Sequence, residues 1–129
     1  MFRSRGSEMA NVKDGLAKLR EIDFYVGAAI VDSNSGMMLG ADGAAAFNLE
    51  VAAAGNTEVV RAKRHTMRAL DLKDSIEDIL ISLARQYHVI RPLAVDDAVF
   101  IYVVLDRSRA NLAMARMKIS GVERELVLE

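Results

Sequence analysis

The sequence contains 129 residues, 52% of them hydrophobic, and its 17 basic and 18 acidic side chains leave a formal net charge of −1. This length and apolar content are typical of one globular domain with one core, and the balanced charge argues against general binding to nucleic acid. The absence of cysteine excludes a disulfide framework, a thiolate zinc site and a cysteine nucleophile.

The beginning of the sequence lacks the features of an export signal. Residues Met1–Glu8 include two arginines, but no apolar run follows them. No stretch approaches the roughly 20 apolar residues that a membrane-spanning helix needs. We therefore expect a cytoplasmic protein without a membrane span, with residues 1–7 as a flexible N-terminus and residues 8–129 as a single domain.

The first third of the chain predicts a helix and then a β-hairpin. Residues Ser7–Ile22 form the helix, with Ser7 or Asn11 as its N-cap and an apolar side at Val12, Leu16 and Leu19. Residues Phe24–Asp32 are apolar and too few for a typical helix, so they predict a strand. A turn that ends at Gly36 leads to a second strand, Met37–Ala41.

Residues Asn48–Leu70 predict a long helix with two different sides. At about 100° per residue, one side gathers Leu49, Ala52, Ala53, Val59, Val60, Met67 and Leu70. The other side carries a basic stripe, which consists of Arg61, Arg64, His65 and Arg68. Lys63 breaks this pattern because it projects into the apolar sector.

The basic stripe is the strongest functional signal in the sequence, and two interpretations of it stay open. It is either an ordinary solvated helix face or a docking surface for an acidic partner. The second interpretation rests on arginine, whose planar guanidinium pairs with carboxylates through two hydrogen bonds. We therefore treat Arg61, Arg64, His65 and Arg68 as candidate partner-binding residues.

Residues Ser75–Leu93 fit two secondary structures equally well. Their apolar side chains match helical spacing, and Ser75 with Asp78 resembles a capping box. The strict alternation of Ile79, Ile81 and Leu83 instead favours a strand, with Tyr87–Arg91 as its hairpin partner. Pro92 ends either structure.

The last part of the chain predicts a buried strand and a final helix. Residues Ala98–Leu105 form a continuous apolar run of strand length, which is typical of a strand covered on both faces. The helix starts at Asp106 or Ser108, and its apolar seam comprises Leu112, Ala115, Ile119, Val122 and Leu126.

The motifs of common catalytic and cofactor sites are missing from the sequence. It has neither a phosphate-binding loop with lysine nor a glycine-rich dinucleotide motif, and no serine nucleophile elbow. His65 and His88 lie far apart, outside any metal-ligand spacing. His88 is expected either to face solvent or to be a satisfied core residue. We expect no cofactor, no metal and no catalytic activity.

The order helix, hairpin, long helix, three strands and helix resembles the roadblock/LC7 family, and the likeness covers most of the chain from about Val12 onward. The residues that carry it are Val26–Asp32 followed by Gly36, the small-residue helix Asn48–Gly55, Asp78–Ile81, Gln86–Leu93 and Leu105–Ala113.

This resemblance implies a profilin-like fold of the α/β (α+β) class, with three α/β/α layers and the order αββαβββα. A five-stranded antiparallel sheet would have the first and last helices on one face and the long helix on the other. The resemblance also favours two strands for Ser75–Leu93. It implies a homodimer with a continuous shared sheet, in which the edge strand at Glu77–Ala84 and the long helix meet a second copy. The interface residues so implied are Ala52, Ala53, Gly55, Asn56, Lys63, Glu77, Ile79, Ile81 and Leu83.

Members of the roadblock/LC7 family are scaffolds or regulators of small Ras-like GTPases. The resemblance therefore implies a non-catalytic, homodimeric regulator that binds such a GTPase, and whether it modulates GTP hydrolysis stays open. The alternative is a ligand-sensing or signalling domain of similar αβ outline. A sensor needs a cavity with a few polar groups, whereas the apolar segments of this sequence contain no evident polar cluster.

Overall fold

The computed structural model describes residues 11–43 and 48–128. It confirms the predicted order of helices and strands. In chain order these are α1 (Val12–Leu19), β1 (Tyr25–Asp32), β2 (Met37–Gly43), α2 (Leu49–Ala69), β3 (Ile79–Ser82), β4 (Gln86–Pro92), β5 (Val99–Asp106) and α3 (Leu112–Glu125). Within the described ranges, no helix combines the length and the apolar character needed to cross a membrane.

The strands form one five-stranded antiparallel sheet in the order β2-β1-β5-β4-β3. Strand β5 lies at its centre, and every β5 residue except the last is buried, as the continuous apolar run predicted. One face packs on α1 and α3. The other face, which we call the α2 face, packs on the long helix. The predicted three-layer architecture is therefore confirmed.

The ambiguous segment forms two strands, as the family resemblance implied. In β3, Ile79 and Ile81 pack toward the α2 face, opposite Ile90 and His88 of β4. In β4, Val89 and Ile90 are both buried, on opposite faces of the sheet. Adjacent side chains that point to opposite faces are the mark of an extended chain, so tertiary packing overrides the helical period of this segment.

The first and last helices have different boundaries from those predicted. Asn11 caps α1, and its side chain accepts a hydrogen bond from the N–H of Asp14 at 2.8 Å. The predicted helical residues 7–10 and the predicted flexible segment 1–7 lie outside the described residues. Helix α1 ends at Leu19, because the chain then turns and brings the buried side chain of Ile22 back onto the core.

Helix α3 begins at Leu112 and not at Asp106 or Ser108, and Asn111 is its N-cap. Asp106 instead ends β5, where its carboxylate accepts hydrogen bonds from the N–H and hydroxyl of Ser108. These bonds hold a turn between β5 and α3, which is the alternative to helix that short polar side chains favour. The predicted apolar seam is confirmed, with Ala115, Ile119 and Val122 buried.

Strand β2 continues through Gly40 to Gly43, whereas the sequence predicted that it would end at Ala41. A Cβ atom at Gly40 would lie 2.7 Å from Cγ1 of Val12. The glycine therefore allows α1 to pack directly on β2.

Candidate partner-binding surface

The buried side of α2 agrees only in part with the apolar pattern, because Ala53 and Val60 are buried as predicted, whereas Thr57 is an unpredicted member. The buried residues of this helix are Ala53, Thr57 and Val60. Thr57 is only 2% exposed, and its hydroxyl donates to the carbonyl of Ala53 at 2.8 Å, which removes the cost of burying a polar group. Leu70, predicted on the apolar side, is 63% exposed. The helix is thus rotated so that part of the predicted basic stripe faces the body of the protein.

The structure corrects the outward orientation of Arg64, and it shows that Arg61, although exposed, is hydrogen-bonded within the chain. Arg64 follows the buried residues Thr57 and Val60 at helical spacing, and its Nη2 donates to the carbonyl of Asp97 at 2.6 Å. Its side chain is only 24% exposed. Nη2 of Arg61 donates to the carbonyl of Ser33 at 2.8 Å. These arginines tie α2 to the β4–β5 loop and to the β1–β2 turn.

Arg61, His65 and Arg68 are the exposed residues of the stripe. In the part of the chain that the structure describes, the side chains of His65 and Arg68 make no hydrogen bond or ion pair, unlike that of Arg61. Arg68 lines an open cleft of about 810 Å³ between the end of α2 and the β4–β5 loop, and Asp96 and Asp97 also line it. The free basic surface is therefore narrower than predicted, and acidic side chains border it.

The α2 residues implied in a dimer interface fall into three environments. Asn56 and Ala52 are partly exposed, and they share one flank of the helix with the exposed Lys63 at spacings of four and seven residues. Ala53 is fully buried against the protein's own sheet, so it has no surface for a second copy. Gly55 faces away from the sheet, and an added Cβ there would have no neighbour within 4 Å.

The residues at β3 that are implied in the interface also lie in different environments. Ile79 and Ile81 are partly buried at the edge of the α2-face core. Glu77 precedes the strand and Leu83 follows it, where Leu83 accepts a hydrogen bond from Arg107 through its carbonyl. The backbone of α2 approaches β1 and β2 most closely, and residues of β3 and the first half of β4 on the α2 face are only partly buried.

The two edges of the sheet differ in regularity. Strand β2 has a bulge, because Ile30 pairs with Gly40 and Val31 with Met38, which leaves Leu39 unpaired. Strand β3 pairs with β4 in continuous register from Ile79 to Ser82. A bulge twists an edge and interrupts its hydrogen-bonding groups, whereas a regular edge can accept another strand.

A polar network, which sequence reasoning missed, lies on the partly covered half of the α2 face. The Tyr102 hydroxyl lies 3.1 Å from Nδ1 of His88, and Nε2 of His88 lies 2.9 Å from Oε1 of Gln86. Burial lowers the pKa of His88 and raises that of Tyr102, and a hydrogen bond with the Asn56 side chain opposes the Tyr102 shift. His88 is thus a partly buried, satisfied residue. The signal in the sequence that could have indicated this network was the alternation of Gln86 and His88 along one strand.

A second polar cluster fastens α1 to the hairpin. Asp42 accepts two hydrogen bonds from Arg20, at 2.7 and 3.1 Å, and one from the Tyr25 hydroxyl at 2.6 Å. The guanidinium of Arg20 and the hydroxyl of Tyr25 lower the pKa of the Asp42 carboxyl, and burial raises the pKa of Tyr25. The groups satisfy one another, which fits a structural role.

The described residues contain no group of three or more potential metal ligands. Every buried side-chain nitrogen or oxygen among residues 11–43 and 48–128 has a hydrogen-bond partner. The interior that the structure describes thus offers no unfilled polar site for a ligand.

The fold can be compared with that of solved structures. Myxococcus xanthus MglB superposes with a TM-score of 0.78 and 14% identity, over 97% of this chain and 89% of that chain. A roadblock/LC7 domain from Streptomyces avermitilis gives 0.75 and 10% identity, over 89% and 93%. MglB in a tetrameric arrangement gives 0.71 and 15% identity, over 87% and 82%. No protein-family profile and no curated protein matches the sequence. The chain has the roadblock/LC7 fold.

Proposed function

We propose that this protein is a non-catalytic, homodimeric regulator that binds a small Ras-like GTPase. The observation that carries the proposal is the combination of a regular edge strand, β3, with a partly covered sheet face beside it. The likeness to MglB and to a roadblock/LC7 domain supports the proposal. A tetrameric arrangement of MglB also exists, which is consistent with self-association in proteins of this fold.

In the proposed dimer, β3 pairs with β3 of a second copy and the sheet continues across the two-fold axis. Edge pairing satisfies the free backbone groups of β3, and it brings the two α2 helices together over the half-covered face. Ala52, Asn56 and Lys63 then line the contact on α2, beside Ile79 and Ile81 on β3. The contact removes apolar surface from water. Such burial is the main driving force for association.

The proposed GTPase-binding surface is the outer side of α2. In the proposed dimer the exposed Arg68 and His65 of both copies contribute to one broad surface, and arginine is suited to acidic partners. Arg61 and Arg64 contribute positive charge, but their guanidinium groups are held by backbone carbonyls of the same chain. Their replacement would disturb the fold as well as binding.

Arg68→Glu is expected to weaken GTPase binding at least tenfold and to leave the fold intact, because the side chain is exposed. The partner is obtained by capture of small Ras-like GTPases from lysate of the native host to which GTP or GDP has been added. The captured GTPases are identified by mass spectrometry. Affinity is then measured by calorimetry. Lys13→Glu is the matched control, since it changes the same charge on the exposed side of α1. Equal binding by both variants would contradict the proposed surface.

Gly55→Ala and Gly121→Ala compare two helical glycines at which an added Cβ meets no atom within 4 Å. Each should raise the free energy of unfolding of the monomer by about 0.5–1 kcal/mol, because alanine favours helix and restricts the unfolded chain. In the proposed dimer, only Gly55→Ala should also weaken association, since Gly55 allows the sister helix to approach. Urea unfolding and sedimentation equilibrium test both effects. If Gly55→Ala associated as strongly as the unmodified protein, Gly55 would not be part of the interface.

A further inference from the structure

His88 has a protonation-dependent set of hydrogen bonds at the place where the proposed dimer would cover the sheet. Oε1 of Gln86 can only accept, so Nε2 of His88 carries a hydrogen and donates to it at 2.9 Å. In the neutral imidazole Nδ1 is then an acceptor, and the hydroxyl of Tyr102, 3.1 Å away, donates to it. With neutral His88, both ring nitrogens are paired and the hydrogen of the Tyr102 hydroxyl also has an acceptor.

Protonation of His88 would place a second donor at Nδ1, facing the Tyr102 hydroxyl. The hydroxyl hydrogen would then have to leave Nδ1 and find another acceptor, while Asn56 already interacts with the same oxygen. In the single chain water can reach this part of the sheet and solvate the charged ring, because His88 is only partly buried. A second copy over this half of the face would exclude that water.

We propose that His88 makes self-association pH-dependent, so that the dimer dissociates when His88 is protonated. The inference rests on the proposed dimer. Covering His88 adds to the desolvation of the imidazolium, so its pKa should be lower in the dimer than in the monomer. The monomer then binds more protons, and mass action shifts the equilibrium toward it as the pH falls through the His88 pKa of the monomer.

The neighbours of His88 are mostly uncharged. It faces Gln86 on β4, Ile81 across the pair with β3, and Tyr102 on β5, and Asn56 reaches the network from α2. Tyr102 is the titratable group among these, and burial raises its pKa, so it stays neutral in this pH range.

Three charged residues lie on the same helix flank or the neighbouring strands. Lys63 lies on the same flank of α2 as Asn56 but about two turns further along the helix, and the lowered pKa of His88 has burial as its cause. Asp106 pairs with Gln86 across the strands, but its carboxylate accepts hydrogen bonds from Ser108. Arg107 lies over the ring of Tyr87, which packs on the opposite face of the sheet from His88.

The experiment measures the dimer dissociation constant by sedimentation equilibrium at pH 7.5, 6.5 and 5.5. Two histidines titrate per dimer, so the logarithm of this constant can change by up to about two per pH unit below the monomer pKa. We expect it to rise at least tenfold between pH 7.5 and 5.5. His88→Gln, which stays neutral, should abolish most of this rise. His65→Gln is the control, because His65 is the only other histidine in the sequence and is exposed.

The outcomes separate the inference from the proposed function. A dimer whose affinity is independent of pH, or whose pH dependence survives in His88→Gln, would overturn the inference and leave the dimer standing. A monomer at every pH would overturn both. As a second readout, nuclear magnetic resonance of the imidazole protons should give a higher His88 pKa in a monomeric variant than in the dimer. Equal values in the two states would count against the inference.

Discussion

Replacing Ile81 by arginine is expected to convert the proposed dimer into a monomer at micromolar concentration. Ile81 lies in the middle of the regular edge strand, partly buried beside the α2-face core. In the dimer, the guanidinium would be desolvated between the two copies, and a change of this kind typically weakens an interface by about a hundredfold or more. Light scattering after size exclusion and sedimentation equilibrium measure the change.

The fold should survive Ile81→Arg, because the aliphatic stem of arginine can cover the same apolar surface while its charged end reaches solvent. Circular dichroism and thermal unfolding test this directly. Met37→Arg is the matched control on the opposite edge of the sheet, where β2 is bulged and Met37 is 69% exposed. If Met37→Arg dissociated the dimer and Ile81→Arg did not, the interface would lie at the β2 edge.

Glu123→Ala is expected to lower the free energy of unfolding by about 3 kcal/mol or more. The Glu123 side chain is 5% exposed and that of Arg91 15%, and Oε1 of Glu123 accepts from Nε of Arg91 at 2.9 Å. Its Oε2 accepts from the N–H of Ala94 at 3.0 Å. Removing the carboxylate leaves a poorly hydrated guanidinium and an unpaired backbone N–H, and such losses are among the most destabilising single changes.

Glu125→Ala is the control for this measurement on the same helix. Glu125 pairs with Lys18 at 2.6 Å, but the two side chains are 35% and 40% exposed. Solvent screens such a pair, so its loss should cost less than about 1 kcal/mol. Urea unfolding of both variants gives the comparison. Similar losses of stability would mean that the burial of the Arg91–Glu123 pair has little effect.

Glu123 also helps to fix the β4–β5 loop, which borders the candidate partner-binding surface. The β4–β5 loop is held at Ala94 by Glu123 from α3, and at Asp97 by Arg64 from α2. These bonds connect the helical layers on the two sides of the sheet through one loop. Between the two attachments, Val95 is 81% exposed. The loop is therefore fixed at both ends while it presents an apolar side chain beside the end of α2.

The sequence by itself determined the nature and order of the helices and most of the strands. Periodicity of apolar residues depends on the local geometry of the chain, so the seam of α3 and the continuous apolar run of β5 could be read directly. N-caps are also local, which is why Asn11 was among the candidates for α1. The resemblance of this pattern to roadblock/LC7 domains was sufficient to predict the layers and the antiparallel sheet.

Only the tertiary structure decided how the side chains of α2 are used. A helix has the same period whichever side faces the core, and Thr57 and Arg64 could join the buried side because Ala53 and Asp97 supply carbonyl acceptors for them. Likewise, Ser75–Leu93 forms two strands despite its helical spacing of apolar residues, because neighbouring layers bury both sides of β4.

The network of Gln86, His88 and Tyr102 joins two strands that become neighbours only in the folded sheet. The local pattern therefore predicted the basic stripe, whereas long-range partners determined which of its residues stay free and joined His88 to Tyr102, which is distant in the sequence.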